Sequence, residues 1–308
     1  MIEVLEEIGV HIVGGEEQIR GHCPVHLLRT GREDAHPSWY MNATTGAWIC
    51  FSCQARGSLR SLVDELGYDQ QILGKIPFQM MKARVQAVAD AAGEEVDYVE
   101  PEASEFVSEY GFDKHPFPPK SMRLLRDIDK ASCQLHNVRW DAEGKCFLIP
   151  VYTFSGELIG WQEKSHGYFN NVPKEMKKRF SLFGYQALSG YDDIIVVESP
   201  LDVVRLSRHG VHGGVAVFGA FVSKQQVAAL VAALPRKKSI ILAFDADAAG
   251  READKLVTAM LKKYGVRAKH FVYPGSAKTY GKDPGDLEVD HLLQGVARAS
   301  FLSRPVAR

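Results

Sequence analysis

Ser239-Ile240-Ile241-Leu242-Ala243-Phe244-Asp245-Ala246-Asp247-Ala248-Ala249-Gly250 is the stretch from which the rest of the chain is read. An unbroken apolar run with β-branched residues predicts a strand buried on both faces, the kind that parallel sheets contain. It ends on two aspartates one residue apart, and a helical pattern follows from Gly250 to Lys263. Comparable units flank it. Asp193 to Val197 is a strand ending at Glu198, with a helix from Pro200 to Arg208 whose proline sits at a tolerated first-turn position. Gly214 to Gly219 is a second strand, followed by a helix that Ser223 caps and that runs through Leu234. Arg267 to Tyr273 is a fourth strand. This alternation predicts an α/β domain with a mainly parallel sheet covered on both faces.

Ligands of such sheets collect beyond the carboxyl ends of the strands. Glu198 ends the first strand, Asp245 and Asp247 the third, and Asp283 and Asp286 follow the fourth within Lys282-Asp283-Pro284-Gly285-Asp286. Carboxylates gathered at one edge repel one another unless a cation lies among them, and hard oxygen donors select Mg²⁺ or Mn²⁺. Two such ions about 3.5–4 Å apart serve phosphoryl transfer by holding the attacking and leaving oxygens. A lone Asp-x-Asp reads equally well as a turn that caps a helix; three acidic clusters in register favour a metal site.

The N-terminal part is built differently. Cys23-Pro24-Val25-His26 and Cys50-Phe51-Ser52-Cys53 form two knuckles joined by a predicted hairpin, Trp39-Tyr40-Met41 and Trp48-Ile49-Cys50-Phe51 around a Thr45-Gly46 turn. A two-residue gap lets both side chains of a knuckle reach one ion, and thiolates with an imidazole suit tetrahedral zinc. His22 and His36 are nearby alternatives, but only the spacing of His26 mirrors the second knuckle. Cys133 and Cys146 stand alone and read as apolar fillers. Trp39, Trp48 and Phe51 either pack around the zinc core or stand exposed as stacking surfaces. Ser58 is expected to cap a helix closing this unit.

The 308 residues carry a net charge of −1, 45% hydrophobic residues and five cysteines. That excludes a disordered chain and a complete disulfide framework. No apolar run is long enough to span a membrane and the acidic amphipathic start is unlike a signal peptide, so a reducing cytosol is expected. The balance is uneven: residues 1–68 carry −4, residues 69–113 carry −7, and residues 114–184 and 185–308 each carry +5. A basic half suits a polyanionic partner.

Taken together, Cys23-Pro24-x-His26, Pro37-Ser38, Cys50-Phe51-x-Cys53 and Gly57-Ser58 resemble the zinc-binding domain of bacterial and phage DnaG-type primases. Glu198-Ser199-Pro200-Leu201-Asp202 and Asp245-Ala246-Asp247 resemble a Toprim domain, the metal-binding fold those primases share with topoisomerases and some nucleases. Gly156 to Lys164 is similar to the primase hairpin whose last position is a basic nucleotide-binding residue, and Tyr168-Phe169-Asn170 and Leu182-Phe183-Gly184 match further landmarks. The resemblance implies nucleotide binding by Lys164, Asn170 and Lys178, support of the carboxylates by Asp202, and catalysis by Glu198, Asp245 and Asp247. Leu27 to His36 looks like an insertion, and Lys145 stands where the family often has arginine.

The expected fold is α+β and α/β: a zinc-ribbon-like domain over 1–68, a partly helical linker over 69–100, a basic mixed α+β subdomain over 101–185, a Toprim domain over 186–290 and a tail over 291–308. The expected activity is synthesis of short RNA primers on single-stranded DNA from ribonucleoside triphosphates, leaving an RNA–DNA hybrid. Implied besides are one structural Zn²⁺, catalytic Mg²⁺ or Mn²⁺, a replicative helicase supplied in trans, and a phage-encoded protein in the host cytoplasm. The alternatives are a Toprim nuclease and a non-catalytic nucleic-acid-binding protein. A topoisomerase wants a nucleophilic tyrosine in a further domain. An aspartate-nucleophile phosphatase wants Thr or Val where Ala249 stands.

Overall fold

The structure is a computed structural model that describes the chain apart from residues 17, 44, 45, 47, 58, 69–71, 73–75, 98–106, 108, 155, 166, 189–192, 235–238 and 302–308. Thr45 and Ser58, which the sequence marks for a turn and a cap, lie outside the described residues. Two compact units form, Met1–Gln86 and Ala87–Arg308.

The first unit begins with α1 (Ile2–Glu7), β1 (Ile12–Gly14), β2 (Gln18–Gly21) and α2 (His26–Thr30). It continues with β3 (Trp39–Asn42), β4 (Trp48–Cys50), β5 (Arg56–Gly57) and α3 (Leu59–Glu65). The five strands make one antiparallel sheet in sequence order. Along β3, Trp39 and Met41 are buried while Tyr40 is half-exposed, the period of two that puts alternate side chains on opposite faces. Trp39, Met41 and Trp48 pack with Leu5, Ile19, Leu62 and Val63 around Cys23 and Cys50. The two tryptophans are therefore core, 0% and 3% exposed, and are not available for stacking on bases; Phe51, 61% exposed, is. Helix α4 (Ile76–Ala91) follows.

The second unit opens with α5 (Glu109–Asp113), α6 (Lys120–Leu125) and α7 (Lys130–Leu135). An antiparallel sheet follows: β6 (Arg139–Asp141), β7 (Cys146–Tyr152), β8 (Leu158–Ser165) and β9 (Tyr168–Val172). The remaining elements are β10 (Asp193–Val197), α8 (Pro200–Arg208), β11 (Gly214–Ala216), α9 (Lys224–Ala233), β12 (Ser239–Leu242), α10 (Ala248–Lys263), β13 (Ala268–His270), α11 (Ala277–Tyr280) and α12 (Val289–Ala297).

β10 to β13 form an all-parallel sheet in the order β11-β10-β12-β13. Ile194 to Val197 are all buried, as consecutive residues are when both faces are covered. α9 carries a full capping box: Gln226 N–H donates to Ser223 Oγ, and Ser223 N–H donates to Gln226 Oε1. The strands are shorter than their apolar runs, because ladder pairing ends at Val196–Leu242 and Val197–Ala216 while the chain continues into loops. One apolar core joins the two sheets of this unit, with Phe147 and Ile149 of β7 packed in the same cluster as Ile195, Val197 and Ile241. Cys133 and Cys146 are buried, and burial pushes their thiols up to about 12 and about 11, as expected of fillers. No helix among the described residues is long and apolar enough to cross a membrane.

Candidate metal centres

Cys23 follows β2, His26 opens α2, Cys50 ends β4 and Cys53 lies in the turn beyond. Their donor atoms all lie within 4.8 Å of one another. Cys23 Sγ is 3.8 Å from Cys53 Sγ, and Cys50 Sγ is 3.9 Å from His26 Nδ1. Four ligands about 2.3 Å from a tetrahedral ion stand roughly this far apart, so the donor set fits zinc. His22 is turned elsewhere: its Nδ1 faces Asp34 O at 2.7 Å and its ring stacks on His11.

The insertion after His26 supplies support that the spacing did not reveal. Asp34 Oδ2 accepts from Cys23 N–H at 2.8 Å and from the Ser38 hydroxyl at 2.8 Å, while Ser38 Oγ is 3.1 Å from Cys50 Sγ. Groups behind the ligands fix their orientation and charge state. Burial would raise the Cys50 thiol, but the Cys53 N–H and the Ser38 hydroxyl outweigh it and bring it down to about 6. Cys23 goes up, driven by burial and by the neighbouring thiols.

The second centre lies in the other unit. In the order β11-β10-β12-β13 the connections leave β10 towards β11 on one side and return to β12 on the other. The crevice at the carboxyl ends of β10 and β12 is thus the topological switch point, where open α/β sheets bind ligands. Glu198 follows β10 and Asp245 follows β12, and Asp245 N–H donates to Glu198 Oε1 at 3.1 Å. Asp247 is the N-cap of α10, its Oδ1 accepting from Gly250 N–H at 3.0 Å. Gly250 has to be glycine here, since a Cβ would stand 2.1 Å from Asp245 O.

The loop after α11 completes the group. Asp286 N–H donates to Asp283 Oδ1 at 2.8 Å, and a Cβ on Gly285 would stand 2.5 Å from Asp202 Oδ1 and 3.1 Å from Asp283 Oδ1. Asp202, in the first turn of α8, is 7% exposed, and its Oδ2 has no hydrogen-bond partner. Lys282 Nζ stands 3.5 Å from both Asp245 Oδ2 and Asp247 Oδ2.

The charges are strained accordingly. Burial, then Glu198 and Asp283, push the Asp245 carboxyl up to about 7. Burial raises Glu198, Asp283 and, most strongly, Asp202, with neighbouring carboxylates adding to it. Asp247 is lowered by the Gly250 N–H. Among the described residues the Cys23, His26, Cys50 and Cys53 set is the group whose donor atoms are close enough to hold an ion as they stand, and the carboxylates are not drawn together in that way. Magnesium needs no such cage, because it retains waters and takes one or two carboxylates. An all-oxygen donor set and an unpartnered buried oxygen fit Mg²⁺ or Mn²⁺.

Of the basic residues, Lys164 reaches this crevice. Its Nζ donates to Ser199 Oγ at 2.8 Å; burial lowers its pKa, and the charges of Asp202, Asp283 and Asp245 act to raise it. Lys178 lies over the rings of Phe169 and Phe218, its Nζ 5.1 Å and 6.0 Å from their centroids, and burial lowers it too. Asn170 Nδ2 donates to Glu163 Oε2 at 3.1 Å. Lys145 is exposed in the turn between β6 and β7.

Residues 192–272 match the Toprim domain family. The DNA primase of Deinococcus radiodurans is 26% identical over 88% of this chain and 53% of its own length. That of Aquifex aeolicus is 26% identical over 89% of this chain and 61% of its own length. The chain therefore spans about half the length of the curated relatives it matches. A crystal structure of the Aquifex aeolicus primase, zinc-binding and RNA polymerase domains, aligns over 97% of this chain and 83% of that one at 18% identity, with a TM-score of 0.47. With a Cys-His-Cys-Cys group that fits zinc ahead of a stretch that matches the Toprim family, this chain is similar to the DnaG-type DNA primases.

Proposed function

We propose that this chain is a DNA primase: it joins ribonucleotides into short RNA on a single-stranded DNA template, leaving an RNA–DNA hybrid. The observation that carries the reading is the switch-point crevice, where Glu198, Asp202, Asp245, Asp247 and Asp283 gather and the half-buried Lys164 reaches in. In the reaction the 3′-oxygen of the growing strand bonds to the α-phosphorus of the incoming triphosphate, and the bond to pyrophosphate breaks. Mg²⁺ or Mn²⁺ bound there would hold the attacking and leaving oxygens.

Asp245, Asp247, Asp283 and Asp286 are the proposed ligands. Glu198, raised by burial, is suited to take the proton of the attacking hydroxyl or to share an ion. Lys164 and Lys178 are assigned to triphosphate oxygens and Asn170 to the nucleotide. Such charge-assisted contacts position phosphates without reading sequence. The zinc unit is assigned to the template. Exposed Phe51 lies edge-on to Tyr40 at 5.5 Å, and the Arg20 guanidinium is 5.8 Å from the Tyr40 ring, an aromatic and basic face of the kind that holds single strands. A helicase supplied in trans and a phage origin in a host cytoplasm complete the proposal, with the domain limits given above.

The test supplies single-stranded DNA, Mg²⁺ or Mn²⁺ and labelled ribonucleotides, with short RNA as the expected product. Cleavage of the DNA without RNA would favour a nuclease, and binding without either product a non-catalytic role. Lys164→Ala and Lys178→Ala are expected to weaken triphosphate binding by about tenfold or more, the worth of a hydrogen bond to a charged group. Equilibrium binding of a labelled triphosphate, read beside thermal unfolding, checks this; wild-type affinity in both variants would show that neither lysine holds phosphate.

A further inference from the structure

Arg205 lies on α8 one turn beyond Asp202 and is 6% exposed. Every nitrogen of its guanidinium is engaged. Nε donates to Asp127 Oδ2 at 2.9 Å, Nη1 to Pro284 O at 2.7 Å and Nη2 to Leu287 O at 2.6 Å. The planar fork fixes the directions of these bonds, so the two carbonyls are held in one place relative to α8. Between them sits Gly285, whose backbone passes so close to Asp202 Oδ1 and Asp283 Oδ1 that no Cβ fits. The carbonyls that Arg205 grips thus bracket the point where the acidic loop meets Asp202.

Asp127 explains why a buried cation can sit here without capturing an active carboxylate. It is a non-glycine residue with a φ of 49°, aimed by that left-handed backbone, and it accepts from Arg205, Arg208 and His209 together. Arg205 has its countercharge in Asp127 and spends its other two donors on neutral carbonyls. Asp202 Oδ2 is left unpartnered.

We propose that Arg205 is a positioning residue that sets the divalent-cation affinity of the crevice by fixing, through the carbonyls of Pro284 and Leu287, where Asp283 stands relative to Asp202. Asp127 holds the guanidinium in register. The inference rests on the crevice being a cation site and not on the identity of the reaction.

The test is titration of the whole protein with Mn²⁺, without nucleotide or template, following the free ion by electron paramagnetic resonance. Amide hydrogen exchange at Asp286 is followed in the metal-free protein. Arg205→Met is expected to weaken Mn²⁺ binding about 10- to 100-fold, the cost usual for losing a partner behind the ligands, and to speed exchange at Asp286. Arg205→Lys keeps a donor for a carbonyl and is expected to recover part of the affinity; Asp127→Asn falls between. A folded Arg205→Met that binds Mn²⁺ as the wild type does overturns the inference, however much stability it has lost. Should Arg205→Met not fold, wild-type affinity in both Arg205→Lys and Asp127→Asn overturns it. A wild type that binds no Mn²⁺ overturns the cation-site reading and this inference together, whereas absent RNA synthesis with intact, Arg205-dependent Mn²⁺ binding overturns only the proposed function.

Discussion

Asp245→Asn and Asp247→Asn are each expected to abolish RNA synthesis in a chain that still folds. Asparagine keeps the shape of the side chain and removes the charge that faces a cation. Each ~1.4 kcal/mol of transition-state stabilisation lost is a factor of ten in rate, and a lost ligand in a two-ion site costs several such steps. The two variants separate in the metal-free protein. Asp245 is pushed up to about 7, above its value in the unfolded chain. The folded state therefore binds more protons than the unfolded one between roughly pH 4 and 7. That contribution is present at low pH and is lost as pH rises through the folded value. Removing the charge in Asp245→Asn relieves, at pH 8, a penalty on the order of a few kcal/mol.

Asp245→Asn is thus expected to melt higher than the wild type in chelator at pH 8, with the gap closing towards pH 4. Asp247 behaves oppositely. Its carboxyl is lowered because it caps α10, so Asp247→Asn gains no such stability. Primer synthesis with Mg²⁺ or Mn²⁺ supplied, and thermal melting across pH in chelator, are the measurements. A folded double variant that makes primers at a near-normal rate would remove the catalytic assignment of this crevice.

Much of that crevice was legible because short-range rules act on it. The apolar runs of β10 and β12, the proline that opens α8 and the serine that caps α9 are local signals; β10 and α8 have the limits the sequence predicts, Ser223 caps α9, and β12 ends at Leu242, short of its apolar run. The carboxylates follow because strand ends are where acidic residues gather usefully. The contacts that tie the crevice together are of another kind. Arg205 reaches Asp127 and the carbonyls of Pro284 and Leu287 across separations of about 80 residues, and no periodicity encodes such a bond. In sequence Lys282 stands out only for the aspartates beside it, and its place between Asp245 and Asp247 depends on how the loop returns to β12. The zinc unit shows the same division. Cysteine spacing names the ligands, but Asp34 lies in what looked like an insertion, and it is the fold that presents its carboxylate to Cys23 N–H and Ser38. Trp39 and Trp48 were ambiguous because a large aromatic suits a core and a base equally; strand alternation and burial resolve them to the core.

Cys50→Ser is expected to unfold the N-terminal unit. Cys23 and Cys50 are not appended to that unit's core but belong to it, packed among Trp39, Met41, Trp48 and Leu62. A core of this size gives little margin by itself, and in small zinc modules the binding energy of the metal is folding energy. Serine offers no thiolate, so the tetrahedral set loses a ligand and the Ser38 hydroxyl and Cys53 N–H lose the sulfur they now face. The wild type should contain one zinc per chain by elemental analysis, and Cys50→Ser much less. Two of the four tryptophans, Trp39 and Trp48, are buried in this unit, so their emission should shift to the red when it opens. A chelator strong enough to strip zinc from the wild type should reproduce the shift, and added zinc should reverse it. The ligands must be deprotonated to bind, so zinc should also leave more readily as pH falls. Zinc-free wild type, or Cys50→Ser with unchanged metal content, would refute the four-ligand assignment. A red shift without loss of zinc would instead place the sulfur's role in packing, since only metal loss ties the opening of this unit to its ligands.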